Sequence, residues 1–156
     1  FPAVLAASRK VDRALEAGAM ALGAEVEIIN FPGYMPRRDC PSLSKLFRDN
    51  AIALLGEEAV GETLHRPSST DAGDLSQLIP TIHPYVNGAG GSLHTKDLAF
   101  VDEELAYVTP AKLLGMTLID LLADEAKAAL TCKASFTPSY NRETYLKAWE
   151  KIVEGE

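Results

Sequence analysis

A polar, glycine-rich stretch near the middle of the chain limits what the sequence can fold into. It runs from Ser68 to His94 and concentrates small polar residues, carboxylates, two of the three histidines and four of the glycines. The residues on either side are patterned as amphipathic helices and strands. Because binding and catalytic groups are commonly carried by loops between regular elements, we expect a functional site in this stretch.

Composition excludes some classes of function. With 156 residues and 47% hydrophobic residues the chain fits one globular domain. A net charge of −7 argues against a nucleic-acid partner, since phosphate binding needs clustered Lys and Arg. We expect no membrane partner, because no uninterrupted apolar run approaches the length of a bilayer span. Cys40 and Cys132 lie far apart, which favours reduced thiols in a cytoplasmic protein.

The regular elements follow from periodicity and punctuation. Apolar residues at helical spacing predict a helix from about Ser8 to Leu22 that Gly23 ends, and the alternating residues 24–28 predict a strand. The segment 31–36, with two prolines and a glycine, predicts a connector. Further helices are predicted at 42–55, at about 110–130 and after Asn141, with a short strand at 60–64 and a buried strand at 78–82.

His94, at the end of the glycine-rich loop, is the candidate metal ligand. Neighbouring glycines leave room for a neutral imidazole to approach an ion closely. The second ring nitrogen of a ligating histidine needs a carboxylate or carbonyl partner, for which Asp71, Asp74 and Asp97 are available. The alternative is an exposed histidine on a tight surface turn, since a catalytic zinc takes three or more protein ligands.

Other residues of the stretch allow two interpretations each. Exposed amides at 88–92 could hold a carboxylate or an oxyanion. Asp71 is either a carboxylate beside a site or the cap of a short helix at 73–78. His83 either touches substrate or the metal shell, or is a structural histidine. Arg37 and Arg38 are either solvated or hold an acidic substrate.

A series of motifs resembles the C-terminal part of the M20 family of metal-dependent amidohydrolases and peptidases, in particular its aminoacylase, aminobenzoyl-glutamate hydrolase and indole-acetyl-amino-acid hydrolase branch. The motifs are Ser69-Thr70-Asp71-x-Gly73-Asp74, Ile79-Pro80-Thr-Ile-His83-Pro84-Tyr85, the glycine-rich run ending in His94-x-x-Asp97, and Tyr107-Val108-x-Pro110-Ala111-Lys112. The first sixty residues follow the order of elements in that family, so the resemblance spans nearly the whole chain.

The resemblance implies a fold and a domain organisation. The fold class is α/β: the C-terminal part of a zinc-peptidase-like catalytic domain, with helices on a mixed sheet, preceded by the last helix and strand of a ferredoxin-like lid domain. Residues 1–31 would end the lid domain, 32–39 would be the linker, and 40–156 would belong to the catalytic domain. The lid often carries a dimer contact, which implies a homo-oligomer.

The resemblance also implies a reaction. The parent enzyme would cleave the amide bond of an N-acyl amino acid or short peptide with two divalent metal ions, Zn²⁺ or Mn²⁺. His94 would be a metal ligand, and Asp71 and His83 would orient the metal shell. The substrate would lie against five residues of the glycine-rich loop: Gly88, Ala89, Gly90, Gly91 and Ser92.

The sequence departs from the family pattern in one respect. It contains no His-x-Asp motif and no Glu-Glu pair in the expected context, since Glu57-Glu58 follows a predicted helix. We therefore expect the general-base glutamate and the other metal ligands upstream, in a longer enzyme of which this chain is a C-terminal piece that is inactive alone. The alternative is a non-catalytic α/β module that binds a small anion or assembles with a partner subunit.

Overall fold

The computed structural model describes residues 2–31, 33–62 and 69–153, and this part of the chain is mostly helical. In chain order its regular elements are α1 (Pro2–Ala21), α2 (Pro41–Leu55), a 3-10 turn (Glu57–Ala59), α3 (Ala72–Leu78), β1 (Ala89–Gly90), β2 (Ala99–Phe100), a π-helical turn (Glu104–Val108), α4 (Thr109–Ser135) and α5 (Arg142–Val153). The two strands form an antiparallel pair. The larger mixed sheet and the zinc-peptidase-like domain stay predictions.

Helix α1 ends where the sequence predicts. Gly23 has a positive φ of 67°. Its amide donates to the Met20 carbonyl at 3.1 Å, and the Ala24 amide donates to the Ala19 carbonyl at 2.9 Å. These two hydrogen bonds are those of a Schellman helix end. The predicted strand at 24–28 is absent, because a strand needs a hydrogen-bonded neighbour and no described segment pairs with it.

The apolar core lies between α2 and α4. Phe47 and Ala51 of α2 pack against Leu113 of α4, which is almost completely buried. The same interface contains a polar contact, since the Asn50 side-chain Nδ2 donates to Asp120 Oδ2 at 2.7 Å. Helix α2 begins with Cys40, and not Ser42, as its N-cap residue. It ends at Gly56, as predicted, and Glu57 and Glu58 are exposed beyond it.

Helix α4 consists of two helical segments. Residues 123–126 leave the helical conformation, and Asp124, Glu125 and Ala126 have φ values of 48°, 58° and 59°. Left-handed conformations cost L-amino acids roughly 1–2 kcal/mol per residue. Despite this break, the helical segment Glu104–Ser135 has, by length and composition only, what is needed to cross a membrane. The expectation that the chain has no membrane partner stays a prediction.

The short helix α3 joins three parts of the chain. Ser76 and Gln77 are buried. Ser76 Oγ accepts a hydrogen bond from the Arg38 amide at 2.9 Å, and Gln77 Nε2 donates to the Pro36 carbonyl at 2.6 Å. The Gln77 carbonyl in turn accepts from the Ser139 amide at 2.9 Å. Helix α3 therefore fixes the backbone of the connector on one side and the segment that leads into α5 on the other.

Asp74 completes this junction. Its Oδ1 accepts a hydrogen bond from the Tyr145 hydroxyl of α5 at 3.0 Å and lies 3.4 Å from the Met35 amide, which donates to it. The connector approaches α3 so closely that a Cβ on Gly73 would lie 1.9 Å from the Met35 carbonyl oxygen. Only glycine fits there, because the connector residues 35–38 are held against α3. The role of residues 32–39 as a linker between two domains stays a prediction.

Two of the predicted strands are not formed in this region. Residue Leu78 ends α3, and residues 79–82 have no regular secondary structure. Pro80 cannot donate to a sheet, which removes one ladder hydrogen bond from the predicted strand. Residues 60–62 also lack regular structure, whereas the rest of the strand predicted at 60–64 lies outside the described residues.

The Tyr145 hydroxyl gives this junction a pH dependence. Burial raises the pKa of the Tyr145 hydroxyl above its usual value of 10.0. A hydrogen bond with Trp149 lowers this pKa, whereas the hydrogen bond to Asp74 raises it further. A raised pKa in the folded state means that this stabilisation is complete below the unfolded pKa and is lost as pH rises through the folded pKa. We expect Tyr145→Phe to lower the free energy of unfolding by about 1 kcal/mol near neutral pH.

Above about pH 10 the wild type should then lose more stability than the Tyr145→Phe variant, so that the two curves converge. Urea unfolding monitored by circular dichroism at several pH values measures this. Tyr107→Phe, at an exposed tyrosine, is the matched control. Parallel curves for wild type and Tyr145→Phe between neutral and alkaline pH would contradict the assignment.

Candidate functional site

A small hairpin carries the glycine-rich loop. In the two-stranded sheet Ala89 pairs with Phe100 and Gly90 with Ala99. The Gly88 carbonyl accepts from the amides of Val101 at 2.9 Å and Asp102 at 3.2 Å, which closes the base of the hairpin. The predicted substrate-binding residues 88–92 therefore form the first strand of a hairpin and the beginning of its loop.

The loop at 91–98 is closely folded on itself. Gly91 has a φ of 83°, and a Cβ there would lie 2.2 Å from the Asp97 carbonyl oxygen. The Thr95 hydroxyl donates to the Ser92 carbonyl at 2.9 Å, and the Leu98 amide donates to the Thr95 carbonyl at 3.3 Å. The loop is therefore held by hydrogen bonds of its own backbone and of the Thr95 hydroxyl, and its shape depends on glycine at position 91.

His94 lies at the tip of this loop. It adopts a left-handed conformation, with a φ of 63°, and its side chain is exposed. Non-glycine residues with positive φ are uncommon and occur often at functional sites, where surrounding structure holds them in place. Within the part of the chain that the structure describes, no hydrogen bond or ion pair engages the imidazole. The ring is thus available to a ligand or to a segment outside these residues.

Asp71 is the N-cap residue of α3. Its Oδ1 accepts hydrogen bonds from the Ala72 amide at 2.9 Å and from the Thr70 hydroxyl at 3.0 Å. The structural interpretation of Asp71 from the sequence is confirmed, with α3 beginning at Ala72. Since a carboxylate has two oxygens, Asp71 Oδ2 is not used by these bonds. A role beside a metal shell stays a prediction.

His83 belongs to a cluster that includes the connector. The Arg37 guanidinium donates to the His83 carbonyl at 3.0 Å and forms an ion pair with Asp39 at 2.7 Å. The same guanidinium lies 5.9 Å from the centre of the Tyr85 ring, and the rings of His83 and Tyr85 meet edge to face at 5.4 Å. His83 Nδ1 is buried and has no hydrogen-bond partner within the described residues.

The structure does not join the predicted site residues into one centre. No group of three or more His, Cys, Asp or Glu residues that could hold a metal ion occurs in residues 2–31, 33–62 and 69–153. No hydrogen bond or ion pair among these residues links His94 to Asp71 or to His83. The described residues alone therefore do not fit a two-metal centre, and further ligands would have to come from elsewhere.

Sequence reasoning missed the residues that hold the surroundings of the site. The sequence offers Asp74 as a carboxylate partner of a metal-bound histidine, whereas in the structure it accepts hydrogen bonds from Tyr145 and Met35. Arg37, which the sequence predicts to be solvated or to hold an acidic substrate, contacts His83, Tyr85 and Asp39. No sequence signal marks α3 as a polar junction, because Ser76 and Gln77 are residue types that are usually exposed and only the fold buries them.

The chain is similar in sequence to a known peptidase. The chain is 33% identical, over 127 residues, to the Xaa-Arg dipeptidase of Homo sapiens. The similarity is to a peptidase. The alignment covers 74% of this chain, and the chain spans 28% of the length of that relative. No family model and no solved structure matches the chain.

This similarity supports the broader part of the sequence interpretation. It supports a relation to peptidases and is in keeping with peptide hydrolase function. The assignment to the aminoacylase branch, the metal ions and the substrate stay predictions.

The hairpin loop can be tested through its glycine. Gly91→Ala should lower the free energy of unfolding by about 1–3 kcal/mol, because a Cβ in this left-handed conformation meets the Asp97 carbonyl. Gly115→Ala is the matched control: nothing lies within 4 Å of its added Cβ in the middle of α4. There the same change should raise stability by about 0.5–1 kcal/mol.

Thermal unfolding of both variants, followed by circular dichroism, measures these opposite effects. The NMR chemical shifts of the His94 ring protons should also change in Gly91→Ala and not in Gly115→Ala. Equal stability changes of the same sign in the two variants would contradict the described conformation of the loop.

Proposed function

We propose that this chain is the C-terminal part of a metal-dependent hydrolase that cleaves the amide bond of an N-acyl amino acid or a short peptide. The observation that carries the proposal is the similarity to a dipeptidase over 74% of the chain. The complete enzyme would hold two divalent ions, Zn²⁺ or Mn²⁺. It would be a cytoplasmic homo-oligomer, with residues 1–31 contributing to the subunit contact.

The backbone conformation and the exposed side chain of His94 support the proposal. It stands at the tip of a loop closed by its own hydrogen bonds, with a backbone φ of 63° and an exposed ring. An exposed imidazole on a hydrogen-bonded loop, without a hydrogen-bond partner among the described residues, fits one ligand of a metal ion. Metal ions in such enzymes polarise the scissile carbonyl and supply an activated water. The remaining ligands and the general-base glutamate would come from the upstream part of the enzyme.

The other residues would then act on substrate or on the ligands. Asp71 Oδ2 is not used in capping α3 and could orient a ligand of the metal. Arg37 and the buried His83 Nδ1 line a cluster at the connector, and a guanidinium there is suited to a substrate carboxylate. Residues Gly88 to Ser92 would offer backbone amides to the substrate.

A second candidate function is a non-catalytic α/β module that binds a small anion or assembles with a partner subunit. The observation that favours it is that no group of three metal-ligating side chains occurs within the described residues. Under this alternative His94 would be an exposed loop residue without a catalytic role. Metal content distinguishes the two, because a module of this kind would bind no stoichiometric metal through His94.

The test uses the longest native polypeptide that contains this sequence. We expect it to bind about two divalent ions and to hydrolyse dipeptides or N-acyl amino acids, whereas residues 1–156 alone should do neither. His94→Ala in the longer polypeptide should reduce hydrolysis by more than about 100-fold and lower the metal content. Lys96→Ala, at an exposed position of the same loop, is the matched control and should retain activity.

Metal content by mass spectrometry and hydrolysis by product chromatography are measured on the same samples. A longer polypeptide that is free of metal, or a His94→Ala variant with wild-type turnover and wild-type metal content, would refute the proposal. A longer polypeptide that binds a small anion, and whose His94→Ala variant keeps wild-type metal content, would support the non-catalytic alternative.

A further inference from the structure

The first segment of α4, residues 109–122, has an apolar face that nothing in the described structure covers. Leu113 and Thr117 face α2 and are buried. Each residue of an α-helix is turned about 100° from the one before it. If Leu113 is placed at 0°, four large aliphatic side chains fall between about 100° and 240°, on the side of the helix that faces away from α2. They are Leu114, Leu118, Ile119 and Leu122, exposed by 61%, 56%, 68% and 61%. We name these four residues the outer face of α4.

Charges are nearly absent from this face. The charged residues of the segment 109–122 are Lys112 and Asp120. Lys112, at the edge of the outer face, forms an ion pair with Glu104 at 2.8 Å. Asp120 lies on the same side of the helix as Leu113 and accepts from Asn50. A helix at a protein surface carries charged and polar residues on its outer side, whereas a helix that is apolar all round is buried.

We infer that the outer face of α4 packs against a segment of the same polypeptide that precedes Phe1 in the complete enzyme. This inference rests on the proposed function, because it requires the longer polypeptide. Two observations carry it: the outer face is apolar although the opposite side of the segment is already packed against α2, and the chain corresponds to only 28% of the length of its peptidase relative. A helix buried on both sides lies between two layers of one domain.

A second copy of this chain fits the outer face less well. Complete burial of an aliphatic side chain removes about 60–120 Å² of apolar area from water. Four side chains exposed by 56–68% therefore supply roughly 150–300 Å². A stable dimer buries about 800 Å² per partner. A covalently connected segment avoids most of the entropic cost of association, so a small face suffices for it.

A bilayer also fits less well, although the segment Glu104–Ser135 has the length and composition of a membrane span. The Glu104–Lys112 ion pair is exposed, and charged groups in the hydrocarbon region are costly. The helical course is interrupted at residues 123–126. On the opposite side, Asn50 and Asp120 place polar groups in the contact with α2.

The experiment compares one substitution in two polypeptides. Leu118→Asp should change the midpoint of thermal unfolding of the 156-residue chain by less than about 2 °C, because the side chain is exposed there. In the longer native polypeptide the same change should lower the midpoint by more than about 5 °C, because it buries a charge. Leu130→Asp is the control: Leu130 is exposed by 62% and lies beyond the break in α4. It should have a similar small effect in both polypeptides.

Leu118→Ala keeps the test decisive if Leu118→Asp prevents folding of the longer polypeptide. It should lower the midpoint only in the longer polypeptide, through a cavity. Equal effects in both polypeptides would overturn the inference. So would a native polypeptide without residues before Phe1, a dimer that Leu118→Asp dissociates without destabilising the monomer, or vesicle binding that Leu118→Asp abolishes.

Hydrolysis by the longer wild-type polypeptide is assayed separately. A large effect of Leu118→Asp in an inactive, metal-free polypeptide would overturn the proposed function alone. An active polypeptide in which Leu118→Asp has no larger effect than Leu130→Asp would overturn this inference alone.

Discussion

Hydrogen bonds to the short helix α3 join the connector, α3 itself and the segment that leads into α5. Asp74, Ser76 and Gln77 accept from or donate to the backbone of the connector on one side and the segment around α5 on the other. Buried polar groups must be paired, so these bonds specify one arrangement of three distant segments. The apolar core between α2 and α4 is small by comparison, with Phe47, Ala51 and Leu113 at its centre.

This arrangement has a consequence for the connector. Residues 35–38 are fixed on α3 by backbone and side-chain hydrogen bonds, and the close approach of Met35 requires glycine at position 73. Residues 24–31, in contrast, have no regular secondary structure. The boundary at 32–39 between a lid domain and a catalytic domain, which the resemblance implies, stays a prediction.

Local features of the structure could be predicted from the sequence. The end of α1 at Gly23, the end of α2 at Gly56 and the cap by Asn141, which accepts from the Thr144 amide at 2.9 Å, each depend on a few neighbouring residues. Asp71 was recognised as a possible cap for the same reason. Strands at 24–28 and 78–82 were predicted from alternation or apolar character, but strands form only with a partner, which local pattern does not supply.

Long-range features could not be predicted. The bond between Asp74 and Tyr145 joins residues 71 positions apart, so no local pattern signals it. The left-handed residues 124–126 include no glycine. Of the candidate site, the sequence located the loop and its histidine. Its other members depend on which segments meet in space, and the described residues bring no complete set of ligands together.

We propose that this sequence is part of a larger peptidase-like enzyme. The most direct measurement is the intact mass of the protein purified from its native source, with sequencing of its amino terminus. We predict a much longer polypeptide that carries a His-x-Asp motif and a Glu-Glu pair upstream of Phe1. A native polypeptide that begins near Phe1 would contradict the account and would leave a binding or assembly module with an unexplained His94 loop.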